Sequence, residues 1–111
     1  MRYPTRSIGD AALVASRVVS IGYVRLAAVL GHNNHTADVY IQIHELAAAP
    51  TSGTGVVPKF SVLAFAGLPY SFALPAVVDM DKCVVCVSSV LASYTQVGAG
   101  TYATIQAIVA S

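Results

Sequence analysis

The sequence predicts an all-β chain: a single antiparallel β-sandwich, jelly-roll-like, with an extended N-terminal arm. Three observations carry the prediction. Apolar and polar residues alternate with period two through most of the hydrophobic runs, as strands with one buried face require. Clusters of Gly, Pro, Asn and Asp break those runs at short intervals, as in sandwiches. Finally, no stretch has a sustained helical period.

In chain order, residues 1–16 read as the arm or a short capping segment, and residues 17–111 as the sandwich domain. The one helix the sequence admits is short, near Asp10–Arg17, with Asp10 capping Ala11–Ser16. Val18 to Leu30 reads as one long strand or two short ones, with Gly22 as a bulge. GHNNHT (31–36) is a turn. In the next run Val39, Ile41 and Ile43 fall on one face, and Tyr40, Gln42 and His44 on the other. AAAPTSGTG (47–55) is a Pro/Ser/Gly loop. Phe60, Val62 and Ala64 alternate with Ser61, Leu63 and Phe65, and Tyr70, Phe72 and Leu74 form a shorter run. Asp79-Met80-Asp81 reads as a turn. Near the end Ala103, Ile105, Ala107 and Val109 alternate with Tyr102, Thr104, Gln106 and Ile108.

Composition narrows the function classes. Only 10% of the 111 residues are charged and 56% are hydrophobic, against about 25% charged in an ordinary soluble domain. So few charges cannot cover a small domain's surface, and protein or lipid is expected to cover part of it. Phe60 to Val78 is nineteen residues without a charge, but Pro69 and Pro75 argue against a membrane helix, because lipid cannot satisfy the backbone they disrupt. The opening MRYPTRSIGDAALVAS lacks the apolar core of a secretory signal. Synthesis in a cytoplasm is expected, with both cysteines reduced. A net charge of +1 leaves no nucleic-acid footprint. Residues 1–30 hold four arginines against Asp10, giving +3, and residues 31–111 hold Lys59 and Lys82 against four carboxylates, giving −2. The basic leading segment is either an arm that meets an acidic partner or a set of solvated arginines.

No catalytic constellation emerges. KCVVCVSS (82–89) contains CxxC, yet its valines favour a strand, where residues three apart point to opposite faces and cannot share a metal. A redox pair would sit at a helix start. His32, His35 and His44 lie close in sequence but are separated by the length of a strand. There is no nucleophile elbow, P-loop or His-Glu-x-x-His. No enzyme activity, cofactor or metal is expected. Tyr40, Gln42 and His44, taken as an outward face, offer either a protein interface or a platform for a glycan.

The run GHNNHTADVYIQIHELAAAPTSGTGVVPKFSVLAFAGLPYSF (31–72) resembles the small β-sandwich proteins of tailed bacteriophages. It is similar to the capsid decoration or staple proteins of epsilon15-like short-tailed phages: a Gly/Asn turn, "YIQIHE", a Pro/Gly loop, "VP", and an aromatic strand ending "PYSF". The resemblance implies a virion protein on the capsid exterior, made in the host cytoplasm. It implies the major capsid protein and a second copy of the chain as partners, and no nucleic acid or membrane. It carries over no catalytic residues. Arg2 and Arg6 are the candidate capsid contacts, and Tyr40, Gln42 and His44 the candidate interface face. The alternative expectation is a glycan-binding β-sandwich module on a virion surface.

Overall fold

The computed structural model describes residues 5–10, 12–97 and 103–110. Among them are eight strands and no helix: β1 (Thr5–Ile8), β2 (Ser16–Ser20), β3 (Val24–His32), β4 (Val39–His44), β5 (Phe60–Ala64), β6 (Pro69–Met80), β7 (Cys83–Ser88) and β8 (Gln106–Ala110). They form two four-stranded antiparallel sheets, β1-β8-β3-β6 and β2-β7-β4-β5. The all-β sandwich expected from the alternation is what the chain forms.

Each strand pairs with its mirror in the chain: β1 with β8, β2 with β7, β3 with β6 and β4 with β5. The chain is thus one long hairpin folded at the β4–β5 connection. Further pairing of β3 with β8 and β4 with β7 rolls that hairpin into two sheets, so consecutive mirror pairs fall alternately in one sheet and the other.

The core lies between the sheets. One sheet contributes Val24, Leu26, Val29, Met80, Ala107 and Val109; the other contributes Val39, Ile41, Ile43, Val85 and Val87, all buried. Burying a Val, Leu or Ile side chain stabilises by about 1.5–3 kcal/mol, so these two faces supply the main driving force. Arg17 ties the edge of one sheet to the approach to the other. Its Nε donates to the Ile105 carbonyl at 2.9 Å, and its terminal nitrogen pairs with Asp10 at 3.0 Å.

Several expectations are corrected. The helix near Asp10–Arg17 does not form. The Asp10 carboxylate accepts from the Ala12 amide at 3.0 Å and closes a local turn instead of a helical one, and residues from Ser16 onward pair with β7. The segment read as an arm is, over Thr5–Ile8, an edge strand registered against Ala107–Ala110. Val18 to Leu30 becomes two strands in different sheets, with Gly22 in the crossing between them. The run ending at Leu74 continues to Met80, so Asp79 and Met80 are strand and not turn. Pro75 hid this. Leu26 pairs Val78 and Ala28 pairs Ala73, so residues 74–77 bulge out opposite Ala27, at a sheet edge that tolerates proline.

Candidate functional site

The strand β7 is buried at all six positions. Its run CVVCVS reads as continuously apolar because both of its faces are covered. The inner face meets the core. The outer face meets the segment 89–97, which folds back over the sheet with Tyr94 on Val84, Cys86 and Leu46. The β4–β5 connection clamps that cover. Gly53 donates to the Tyr94 carbonyl at 3.0 Å, the Tyr94 amide to Val56 at 3.1 Å, and the Gln96 amide to Ser52 Oγ at 2.8 Å.

Under the cover lies a polar cluster on the outer face of β4 and β7. Gln42 Nε2 donates to the carbonyls of Val90 at 2.7 Å, Ser93 at 2.9 Å and Leu91 at 3.3 Å. With three carbonyls fixing the amide nitrogen, its oxygen must face His44, whose Nε2 lies 3.0 Å away. His44 Nε2 therefore carries a proton and donates to Gln42 Oε1, and burial favours the neutral ring. Ser88 Oγ binds the Val90 and Ser93 carbonyls and accepts from the Val90 and Thr95 amides, at 2.9–3.1 Å. The Tyr94 ring stands edge-on to His44, at 6.2 Å between centroids.

Tyr40, Gln42 and His44 do share a face, but it is not an open one. Gln42 is 0% and His44 1% exposed, and only Tyr40 is half-buried. An outward platform for a glycan or a partner built on these three is corrected: Gln42 bonds the carbonyls of Val90, Leu91 and Ser93 of the same chain, and His44 bonds Gln42. The cover was not legible in the sequence, because 89–97 has no periodicity. The available hint was β7 itself, an apolar run that needs shelter on both sides.

The thiols are likewise structural in character. Cys83 faces the core and Cys86 the outer cluster, both free and buried. Burial pushes each thiol up to about 12, far from the thiolate a redox or metal site needs. Among the described residues, no three His, Cys, Asp or Glu groups lie close enough to hold a metal ion.

Arg6 is exposed on β1, opposite Val109, and lines a shallow depression of about 220 Å³ with Tyr23 and Arg25. Arg2 lies outside the described residues. The rest of the accessible surface is notable for apolar side chains. Leu63, Phe65 and Leu68 at the β5–β6 end, and Val90 and Leu91 on the cover, are all exposed.

Burial holds the His44 imidazole below its ordinary value, which sets a pH dependence. The unfolded chain takes up a proton near pH 6.5, roughly the free-histidine value, while the folded chain still resists it. Stability is therefore level above that pH, falls as pH drops through the window between the unfolded and folded values, and then levels off. Urea titrations from pH 8 to 5 check this. His44→Gln, which can still donate to Gln42, is expected to flatten that part of the profile.

No family model, curated protein or solved structure matches the chain. Among the described residues, no helix is long and apolar enough to cross a membrane.

Proposed function

We propose that the chain is a structural virion protein that decorates and stabilises a bacteriophage capsid, bridging neighbouring capsid subunits from the outside as a homodimer. The observation that carries this reading is the strand order. A hairpin of mirror-paired strands rolled into β1-β8-β3-β6 over β2-β7-β4-β5 supports a jelly-roll reading, an architecture used by viral capsid domains. The resemblance of residues 31–72 to phage decoration proteins points the same way. Low charge and several exposed apolar side chains suit a protein that spends its working life covered by others.

In this reading no chemistry is required of the chain. A clamp needs complementary surfaces of about 800 Å² per partner, repeated around a shell so that many modest contacts act together. Arg6, on the outer edge of β1, and Arg2 supply positive charge toward an acidic shell surface. A glycan-binding role loses support, since two of its three residues are sealed beneath the cover.

The test is quantitative mass spectrometry of particles from a phage encoding the chain, before and after a high-salt wash. Copy numbers comparable with the major capsid protein support the reading, and absence from the particle overturns it. Deleting the first eight residues would remove an edge strand, so a point change is the better probe of the basic end. Arg6→Glu is expected to weaken attachment by about tenfold at low salt and less at high salt.

A further inference from the structure

The four sheet edges are not alike. The edge strand β1 is four residues long and carries Arg6. Strand β2 carries Arg17 and shifts register between Val18 and Ser20. Strand β6 starts at Pro69, contains Pro75 and bulges between Ala73 and Val78. Charge, proline and bulges are the devices that stop an open edge from recruiting another strand. The fourth edge, β5, has none of them. Its sequence FSVLA contains no charge, proline or glycine, and its register is regular from Ile43↔Phe60 to Val39↔Ala64.

The flank of β5 is also prepared. The turn after it is closed by Leu68 N to Phe65 O at 3.2 Å and held from outside by two side-chain-bearing neighbours. The Asp38 carboxylate accepts from Ala66 N at 2.8 Å, and Asn33 bonds both Leu68 O, through its amide nitrogen at 2.9 Å, and Ala64 O, through Nδ2 at 3.0 Å. This rigid turn leaves Phe65 and Leu68 exposed, with Leu63 beside them on the outer face of β5.

We infer that the β5 edge joins a second copy of this chain, antiparallel, about a twofold axis through Val62 and perpendicular to the sheet. Charge placement selects the second copy and the direction. Asp38 sits at the Ala66 end of β5 and Lys59 at the Phe60 end. An antiparallel copy brings Lys59 to the partner's Phe65, next to the partner's Asp38, whereas a parallel copy would set lysine on lysine. Between the two ends nothing charged meets its own image, which is the condition for a self-complementary contact. The pairing would fuse the two β2-β7-β4-β5 sheets into one, use up both unprotected edges and set Leu63 and Phe65 of each copy beside side chains of the other. It deepens the homodimer of the proposed function by giving it a surface, and its test does not depend on any particle.

The measurement is the molar mass of the purified chain by light scattering and sedimentation, for wild type, Leu63→Lys and Phe65→Lys. Both side chains are exposed, so the fold is expected to survive, with an unchanged circular dichroism spectrum as the control. Leu63 lies one residue from the axis, and two lysines there would be diagonal neighbours on the same face, about 7–8 Å apart. Dimerisation is expected to weaken by about a hundredfold. Mixing Leu63→Lys with Leu63→Glu is expected to restore a dimer containing one of each. A wild type that is monomeric at about 100 μM, or a dimer indifferent to both lysines and to the mixing, overturns the inference. Either result leaves the particle measurement to decide the virion role on its own.

Discussion

Gly31→Ala is expected to cost about 3 kcal/mol or more of folding stability, read as a lower urea midpoint with an unchanged m-value. The reason is proximity, not backbone angle. A Cβ at residue 31 would be driven into the backbone carbonyl of Thr104 and would lie 2.8 Å from the Tyr70 hydroxyl. None of these groups is at liberty to move. Tyr70 Oη donates to the Thr104 carbonyl at 2.7 Å, the His32 amide donates to Thr104 Oγ1 at 2.9 Å, and the Thr104 amide returns a bond to the His32 carbonyl at 3.0 Å. Tyr70 is also the register partner of Gly31 on β6. The glycine thus lets three segments meet where any side chain would part them. Tyr70 is buried, and burial holds its phenol well above the ordinary value, so it stays a donor throughout the working range. Gly22→Ala is the control. No atom of the described residues lies within 4 Å of the Cβ it would add, and its effect is expected to stay within about 0.5 kcal/mol.

How far the sequence announced this fold depends on the range of the forces involved. The alternation in β4 and in residues 103–109 was legible, because period two is a local consequence of having one buried face: Val39, Ile41, Ile43, Ala103, Ile105, Ala107 and Val109 are all buried. The strand nature of β7 was legible from its valines. What misled were residues whose local preference is overridden at long range. Asp10 offers a helix cap, yet Ser16–Ser20 finds a strand partner in β7. Pro75 reads as a break, yet the bulge opposite Ala27 absorbs it. The face of Tyr40, Gln42 and His44 was assigned correctly, but not its fate. Whether an outward strand face is open depends on a connection some fifty residues away in sequence, and no periodicity encodes that. A turn at Gly67-Leu68-Pro69 was legible from its Gly and Pro, but not that Asp38 and Asn33 hold it with Phe65 and Leu68 exposed.

That distant connection makes Gln42 the side chain whose loss should reach furthest. Gln42→Leu keeps much of the volume but removes the donor to three carbonyls and the acceptor for His44 Nε2. Leaving buried partners unsatisfied costs about 1–3 kcal/mol each before relaxation. The cover can swing out and solvate its carbonyls, so a loss of about 2–4 kcal/mol is expected. Ser61→Ala on the neighbouring strand is the comparison. Its hydroxyl is buried and has no hydrogen-bond partner among the described residues, so removing it is expected to be neutral or slightly stabilising. The position of the loss is as informative as its size. If Gln42 pins the cover, amide exchange in the Gln42→Leu chain should accelerate first at Ser89, Tyr94 and Thr95, whose amides are bonded within or beneath the cover, while β3 and β8 keep their protection. Cys86, sheltered by Tyr94, should then react with a thiol reagent well before Cys83, which lies in the core. Simultaneous labelling of the two cysteines would mean that the cover and the sandwich open as one unit. In that case Gln42 contributes to global stability without acting as a latch, and the second apolar cluster is an integral layer of the fold.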